Sequence, residues 1–208
     1  MNNARIAIID YGMGNLRSVQ KALQYCGGTA DIIDRPEQVR TADKIILPGV
    51  GAFGDAVAIL KRTGLDQAIR DYARSGKILL GICLGMQLLV DVGEEDGPFP
   101  GLGLLPGRAV RFDVDQPPLN LKVPHMGWNE LNFTPGSKLG HGLPVGSYAY
   151  FVHGYYVAPT DAAVVSCWCD YGRPFAAGIE HQNIMATQFH PEKSQAVGQA
   201  ILRNFIAL

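Results

Sequence analysis

Apolar positions in the N-terminal half of the chain switch between two periods. RIAIID (5–10) is a short β-rich run, and NLRSVQKALQYC (15–26) places Leu16, Val19, Leu23 and Cys26 at helical spacing before Gly27 and Gly28 close it. TADII and KIILP (44–48) continue as strands, DAVAILKR and LDQAIRDYARSG supply helices, and KILLGI (77–82) is the next strand. Runs such as IAII and KILL are apolar on both faces, which suits a parallel sheet sandwiched between helices.

After GEEDGPFPGLG the texture changes. LLPGRAVRFDV, YAYFVHGYYV, AVVSCWCDY, PFAAGIEH and IMATQFH read as strands joined by turns, with a hairpin signal at His181-Gln182-Asn183, and QAVGQAILRNFIAL reads as a closing helix. No Pro/Ser-rich linker, repeat or low-complexity tract separates the halves. The pattern therefore predicts one α/β domain over 1–208, a mixed, largely parallel sheet flanked by helices.

Composition narrows the function. With 47% hydrophobic and 18% charged residues and a formal net charge of -1, the chain of 208 residues has no general attraction to phosphate backbones or anionic membranes. No segment approaches the roughly 20 apolar residues of a membrane span, and Asp10 interrupts the first apolar run where a signal peptide would continue, so the expected compartment is the cytoplasm. Reduced thiols are expected at Cys26, Cys83, Cys167 and Cys169, since a chain of this size does not need disulfide staples. Cys167 and Cys169 have no second ligand pair to build a zinc site and read as strand residues. DYGMGN has the look of a dinucleotide fingerprint, but Arg17 stands where the third glycine belongs, so no nucleotide cofactor is expected there.

The candidate chemistry centres on GICLG (81–85). A strand that runs straight into a helix through a tight turn pushes one side chain up at the sheet edge, and its neighbours must be small. Cys83 occupies that position, at the N-terminus of the following helix, where positive charge favours thiolate. A nucleophilic cysteine needs a base, and His190 in TQFHPEKS offers one, with Glu192 two residues on to hold the imidazole if the backbone stays extended. His125, His141, His153 and His181 lack such a companion. The glycine loop LPGVGAFGD (47–55) follows a strand and can present backbone N–H groups to an oxyanion.

These residues together resemble the class I (triad) glutamine amidotransferases. Gly81-Ile82-Cys83-Leu84-Gly85 with Gln87, Pro48-Gly49-Val50-Gly51 and His190-Pro191-Glu192 carry the likeness, and DYGMGNLRSV, KVPHMGWN, YFVHGYY and QFHPEKSQ extend it over nearly the whole chain. The resemblance implies a flavodoxin-like fold and hydrolysis of glutamine to glutamate and ammonia, with Cys83 as nucleophile, His190 as proton relay and Glu192 as its orienting acid. It further implies an oxyanion hole at Val50, Gly51 and Leu84. Gln87, Glu95 and the backbone around His153, Gly154 and Tyr155 would then contact the glutamine. Gly154 departs from the family pattern, in which Ser or Thr is usual. No cofactor or metal is implied.

Ammonia released into neutral water is mostly protonated, so an enzyme that makes it for synthesis needs a dry route to an acceptor. The resemblance implies that acceptor: a (β/α)8-barrel cyclase subunit that forms imidazole glycerol phosphate and aminoimidazole carboxamide ribonucleotide in histidine biosynthesis, docked against Asn15, Trp128, Tyr150 and Lys193. Two other readings stay open on the residues alone, namely a class I glutaminase serving a different synthase and a cysteine hydrolase or peptidase with a similar elbow.

Overall fold

The computed structural model describes residues 4–208. Strand β1 (Ile6–Ile9) is buried along its whole length, and its side chains alternate between two cores: Ala7 and Ile9 face one, Ile6 and Ile8 the other. β3 (Lys44–Gly49) and β4 (Ile78–Cys83) divide in the same way, with Ile45, Leu47 and Leu79 on the first face and Ile46, Leu80 and Ile82 on the second. A strand apolar at every position therefore has helices on both sides. α3 (Phe53–Thr63) and α4 (Leu65–Arg74) cover the first face through Phe53, Leu60 and Ile69. α1 (Leu16–Tyr25) and α6 (Gln195–Ala207) cover the second through Val19, Leu23, Ile201 and Phe205. Each such side chain contributes about 1.5–3 kcal/mol by leaving water.

With β2 (Ala30–Ile33) and β13 (Ile184–Thr187), these strands form a parallel block ordered β2-β1-β3-β4-β13. That is the flavodoxin-like order, in which ligands bind beyond the carboxyl ends of the strands. β12 (Pro174–His181) returns antiparallel beside β13 through Gln182 and Asn183, the former at φ 55°, as the hairpin signal predicts. The sheet continues through β10 (Tyr155–Pro159), β7 (Leu105–Arg111), β5 (Val90–Gly93) and the edge strand β6 (Phe99–Pro100). A branch leaves β12 through β11 (Val165–Asp170) to β8 (His125–Phe133) and β9 (Ser147–His153). Cys167 and Cys169 are buried on β11, as expected of strand residues. No helix of the described residues is long and apolar enough to cross a membrane.

Four local expectations change. The run YAYFVHGYYV breaks at Gly154 into β9 and β10, because β9 leaves for the branch while β10 stays in the main sheet. β8 has no strand signal in the sequence: Gly127 at φ 133° interrupts it, and its large apolar residues Met126 and Trp128 point outward. α2 (Pro36–Thr41) was too short to announce itself, with Val39 its single buried residue. The strand in IMATQFH ends at Thr187, so His190 lies beyond it and opens a 3-10 turn at Pro191–Lys193.

Candidate active site

β4 meets α5 (Leu84–Gln87) at Cys83, a non-glycine residue held at φ 56°, ψ -111°. Such a conformation costs on the order of 1–3 kcal/mol and persists only when its surroundings enforce it. Here the enforcement is close packing by glycine. A Cβ on Gly85 would overlap the Leu47 carbonyl oxygen, and one on Gly81 would lie 2.8 Å from the Gly85 oxygen. α5 is a single turn, so its dipole is small. Its first residue, Leu84, nevertheless leaves a backbone N–H without an intrahelical partner beside the sulfur.

His190 reaches the same edge from the end of β13 and is 2% exposed. Its Nδ1 lies 2.8 Å from Glu192 Oε1, while its Nε2 is buried with no hydrogen-bond partner among the described residues. The pairing is the one expected, but the backbone differs: Glu192 comes back to the ring through the 3-10 turn and not through an extended strand. Ser194 locks the turn, since its Oγ donates to the His190 carbonyl at 2.6 Å and accepts from the Tyr150 N–H at 3.0 Å. Burial alone would lower the His190 pKa, but the neighbouring Cys83 and Glu192 outweigh it and raise the value to about 9. Cys83 and Glu192 thus both favour the imidazolium form of His190.

A cavity of about 330 Å³ opens in front of the sulfur. The predicted oxyanion residues Val50, Gly51 and Leu84 line it, as do the predicted substrate residues Gln87, Glu95, His153, Gly154 and Tyr155. Val50 is 39% exposed and Gly51 sits at φ 98°, so this loop is the open wall. Gly49 presses against Leu84 and the buried Tyr11 hydroxyl, leaving no room for a Cβ. Of three adjacent acids, only Glu95 lines the cavity. Its Oε2 accepts from the Phe53 N–H at the start of α3 at 2.7 Å, whereas Glu94 pairs with Arg108 at 2.6 Å. A second cavity, of about 540 Å³ around Phe133, Lys138, His141 and Asn204, is larger but holds none of the candidate residues. Its size carries no chemistry.

The sequence model of the family described as glutamine amidotransferase class-I matches residues 7–208. The chain belongs to that family. It is 52% identical over 202 residues to imidazole glycerol phosphate synthase subunit HisH of Syntrophotalea carbinolica, an alignment covering 96% of this chain and 98% of that one. The subunit of the same description from Bacillus subtilis is 50% identical over 201 residues, covering 96% and 94%. Among solved structures, PurLQS from Thermotoga maritima superposes with a TM-score of 0.78 at 19% identity, covering 99% of this chain and 98% of that chain, which is a likeness of fold.

Three of the remaining predicted residues of this amidotransferase cluster outside the cavity. Trp128 and Tyr150 face each other across β8 and β9 with ring centroids 6.3 Å apart, and Lys193 Nζ stands 5.8 Å from the Tyr150 ring centre. Trp128 is 47% exposed and Met126 on the same strand 63%. Asn15 is exposed at the start of α1, which packs against the Pro191–Lys193 turn.

Sequence reasoning missed two groups. Gln188 is fully buried between Gln87 and Cys83, and its place two residues before His190 was the available signal. His125 and His153 were set aside, His153 entering only through its backbone. Their imidazoles form a buried pair next to the cavity wall, with Nδ1 of His125 3.1 Å from Nε2 of His153.

Proposed function

We propose that this amidotransferase, as one domain over 1–208, is the glutaminase subunit of imidazole glycerol phosphate synthase and works in the cytoplasm with a (β/α)8-barrel cyclase partner. The observation that carries the reading is the grouping of His190 and Glu192 behind Cys83, which lines a cavity of about 330 Å³, in a chain about half identical to HisH subunits over nearly its whole length.

In this mechanism the Cys83 thiol proton passes to His190 Nε2, and the thiolate attacks the side-chain amide carbon of glutamine. The carbonyl oxygen becomes an oxyanion held by the Leu84 N–H and by N–H groups of the Val50–Gly51 loop, whose exposure and left-handed glycine allow it to reorient when the partner docks. The imidazolium returns the proton to the departing nitrogen, and ammonia leaves behind a glutamyl thioester. His190 then takes a proton from water, whose oxygen attacks the thioester to release glutamate and the thiol. Glu192 keeps the Nδ1 proton of His190 in place throughout. Both side-chain hydrogens of Gln87 Nε2 are engaged, by the Tyr155 carbonyl at 2.9 Å and Gln188 Oε1 at 3.2 Å, so Gln87 offers its oxygen to an N–H of the substrate. The free oxygen of Glu95 takes the α-ammonium, and the backbone at His153, Gly154 and Tyr155 takes the carboxylate.

Ammonia would leave on the partner side, where Trp128, Tyr150, Lys193 and Asn15 supply the docking surface. The test is synthase activity of the chain mixed with the cyclase. Glutamine and ammonium should both support the wild type, whereas ammonium alone should support Cys83→Ala. Glutamine-dependent turnover by Cys83→Ala would refute the assignment.

A further inference from the structure

The amide orientations beside the sulfur follow from one backbone group. The Tyr155 carbonyl can only accept, so the Gln87 atom 2.9 Å from it is the nitrogen. That nitrogen's second hydrogen then points at Gln188, 3.2 Å away, and the Gln188 atom receiving it is the oxygen. The Gln188 nitrogen is thereby turned toward Cys83 Sγ, at 3.8 Å. Tyr155 is itself held, since His153 Nδ1 lies 2.8 Å from the same carbonyl oxygen. The polarity of the chain therefore runs one way, from a fixed acceptor to an N–H aimed at the reacting atom.

We propose that Gln188 is a further catalytic residue, whose side-chain N–H stabilises the ionised Cys83 sulfur. This rests on the glutaminase reading above and deepens it. Gln188 is fully buried, where an unpaired amide hydrogen is costly. A neutral thiol is a poor acceptor for it, but a thiolate is a strong one, and hydrogen bonds to ionised partners are shorter and about twice as strong as neutral ones. The 3.8 Å separation leaves room for that shortening. The Val152 carbonyl oxygen, 4.0 Å from the sulfur, accepts from the thiol and repels the thiolate. Gln188 offsets that repulsion at the moment the proton moves to His190 Nε2.

The test is the rate of Cys83 alkylation by iodoacetamide as a function of pH, followed by mass spectrometry of the peptide that carries Cys83. The full-length chain is used without glutamine, in wild type, Gln188→Met and Gln188→Leu. The midpoint belongs to the coupled Cys83–His190 pair. Loss of the donor is expected to move it up by about one pH unit and to slow alkylation at neutral pH about tenfold. A wild-type midpoint in either folded variant overturns the proposal, and the second variant covers the case in which the first does not fold. A merely structural role would lower the melting temperature and leave the midpoint in place. Because the probe needs neither glutamine nor cyclase, failure of the glutaminase reading would show separately, as absence of glutamine turnover by the wild-type complex.

Discussion

His125 Nδ1 lies 3.1 Å from His153 Nε2, a contact that needs one of the two facing nitrogens bare. His153 donates its Nδ1 proton to the Tyr155 carbonyl at 2.8 Å, which leaves Nε2 to accept from His125. Asn129 Nδ2, 3.3 Å from His125 Nε2, closes the other end. Every ring nitrogen has a partner of the right polarity, and no place remains for an added proton. Burial lowers the His125 pKa to about 4 and the His153 pKa to about 3, the backbone hydrogen bond of His153 opposing this only in part.

The sign of the pH dependence follows. Unfolded histidines take up a proton below about pH 6.5, while the folded pair does not until about pH 4 or lower. The pair's contribution to stability is complete above the unfolded value and is lost as the pH falls below it, with a slope of about 1.4 kcal/mol per pH unit for each ring. Melting temperatures should therefore drop between pH 7 and pH 5, and His125→Asn should flatten that limb. An acid limb of wild-type steepness in the variant would show that other groups cause it.

Gly85→Ala should be among the most damaging small substitutions in the chain. The added methyl group overlaps the Leu47 carbonyl oxygen, a backbone atom of the strand next to β4, so neither side can yield cheaply. A loss of about 2 kcal/mol or more is expected, read as a lower denaturant midpoint.

Gly154→Ser tests the one departure from the family pattern at the cavity. A Cβ there meets only Val123 Cγ1, at 3.5 Å, an ordinary contact. Stability should change by less than about 0.5 kcal/mol. The new hydroxyl should lower the KM for glutamine and leave kcat nearly unchanged, since it adds binding common to ground and transition states.

Lys44 is a buried cation with a structural task. Its Nζ donates to the carbonyls of Phe205 at 3.1 Å and Ile206 at 2.6 Å, which closes the C-terminal end of α6. Lys44→Met keeps the aliphatic stem and strips both carbonyls of their donor. The expected cost is about 1–3 kcal/mol in denaturant titration, with glutaminase activity intact below the melting range.

How far the site could be read in advance depended on how local its signals were. The parallel block was legible because β1, β3 and β4 are apolar on both faces, a pattern few alternatives share. Cys83 was legible because the turn that displays it demands Gly81 and Gly85 beside it. His190 and Glu192 were found through their spacing, although an extended backbone was the wrong reason for it. β8 was hidden because it buries little of its own apolar surface and sends Met126 and Trp128 outward. Gln188 was hidden for a different reason: its task is defined by Gln87 and Tyr155, which are distant in sequence and meet only in the fold. Glu95 was separated from Glu94 and Asp96 by the resemblance alone, and the fold supplies the physical distinction: Glu95 lines the cavity while Glu94 pairs with Arg108.

Glu192→Gln isolates the charge that stands behind the base. The substituted amide can still place an oxygen 2.8 Å from His190 Nδ1 and keep the ring in position, so geometry and stability should be nearly preserved. What is lost is the negative charge, one of the two influences that hold the His190 pKa near 9 against burial. With Cys83 and a neutral hydrogen-bond acceptor left as the support, burial prevails more readily and the imidazolium form weakens. At neutral pH the proton then resides more on sulfur, and the attacking thiolate becomes scarcer. Glutamine turnover in the complex with the proposed cyclase should fall by roughly 10- to 100-fold, while ammonium-dependent synthesis, which bypasses Cys83, should not change. Because Lys193 adjoins Glu192 on the same turn, affinity for the proposed partner is measured alongside, and a weakened complex would point instead to a disturbed contact. An unchanged glutamine rate would mean that orientation of the ring, and not the charge behind it, is all that Glu192 provides.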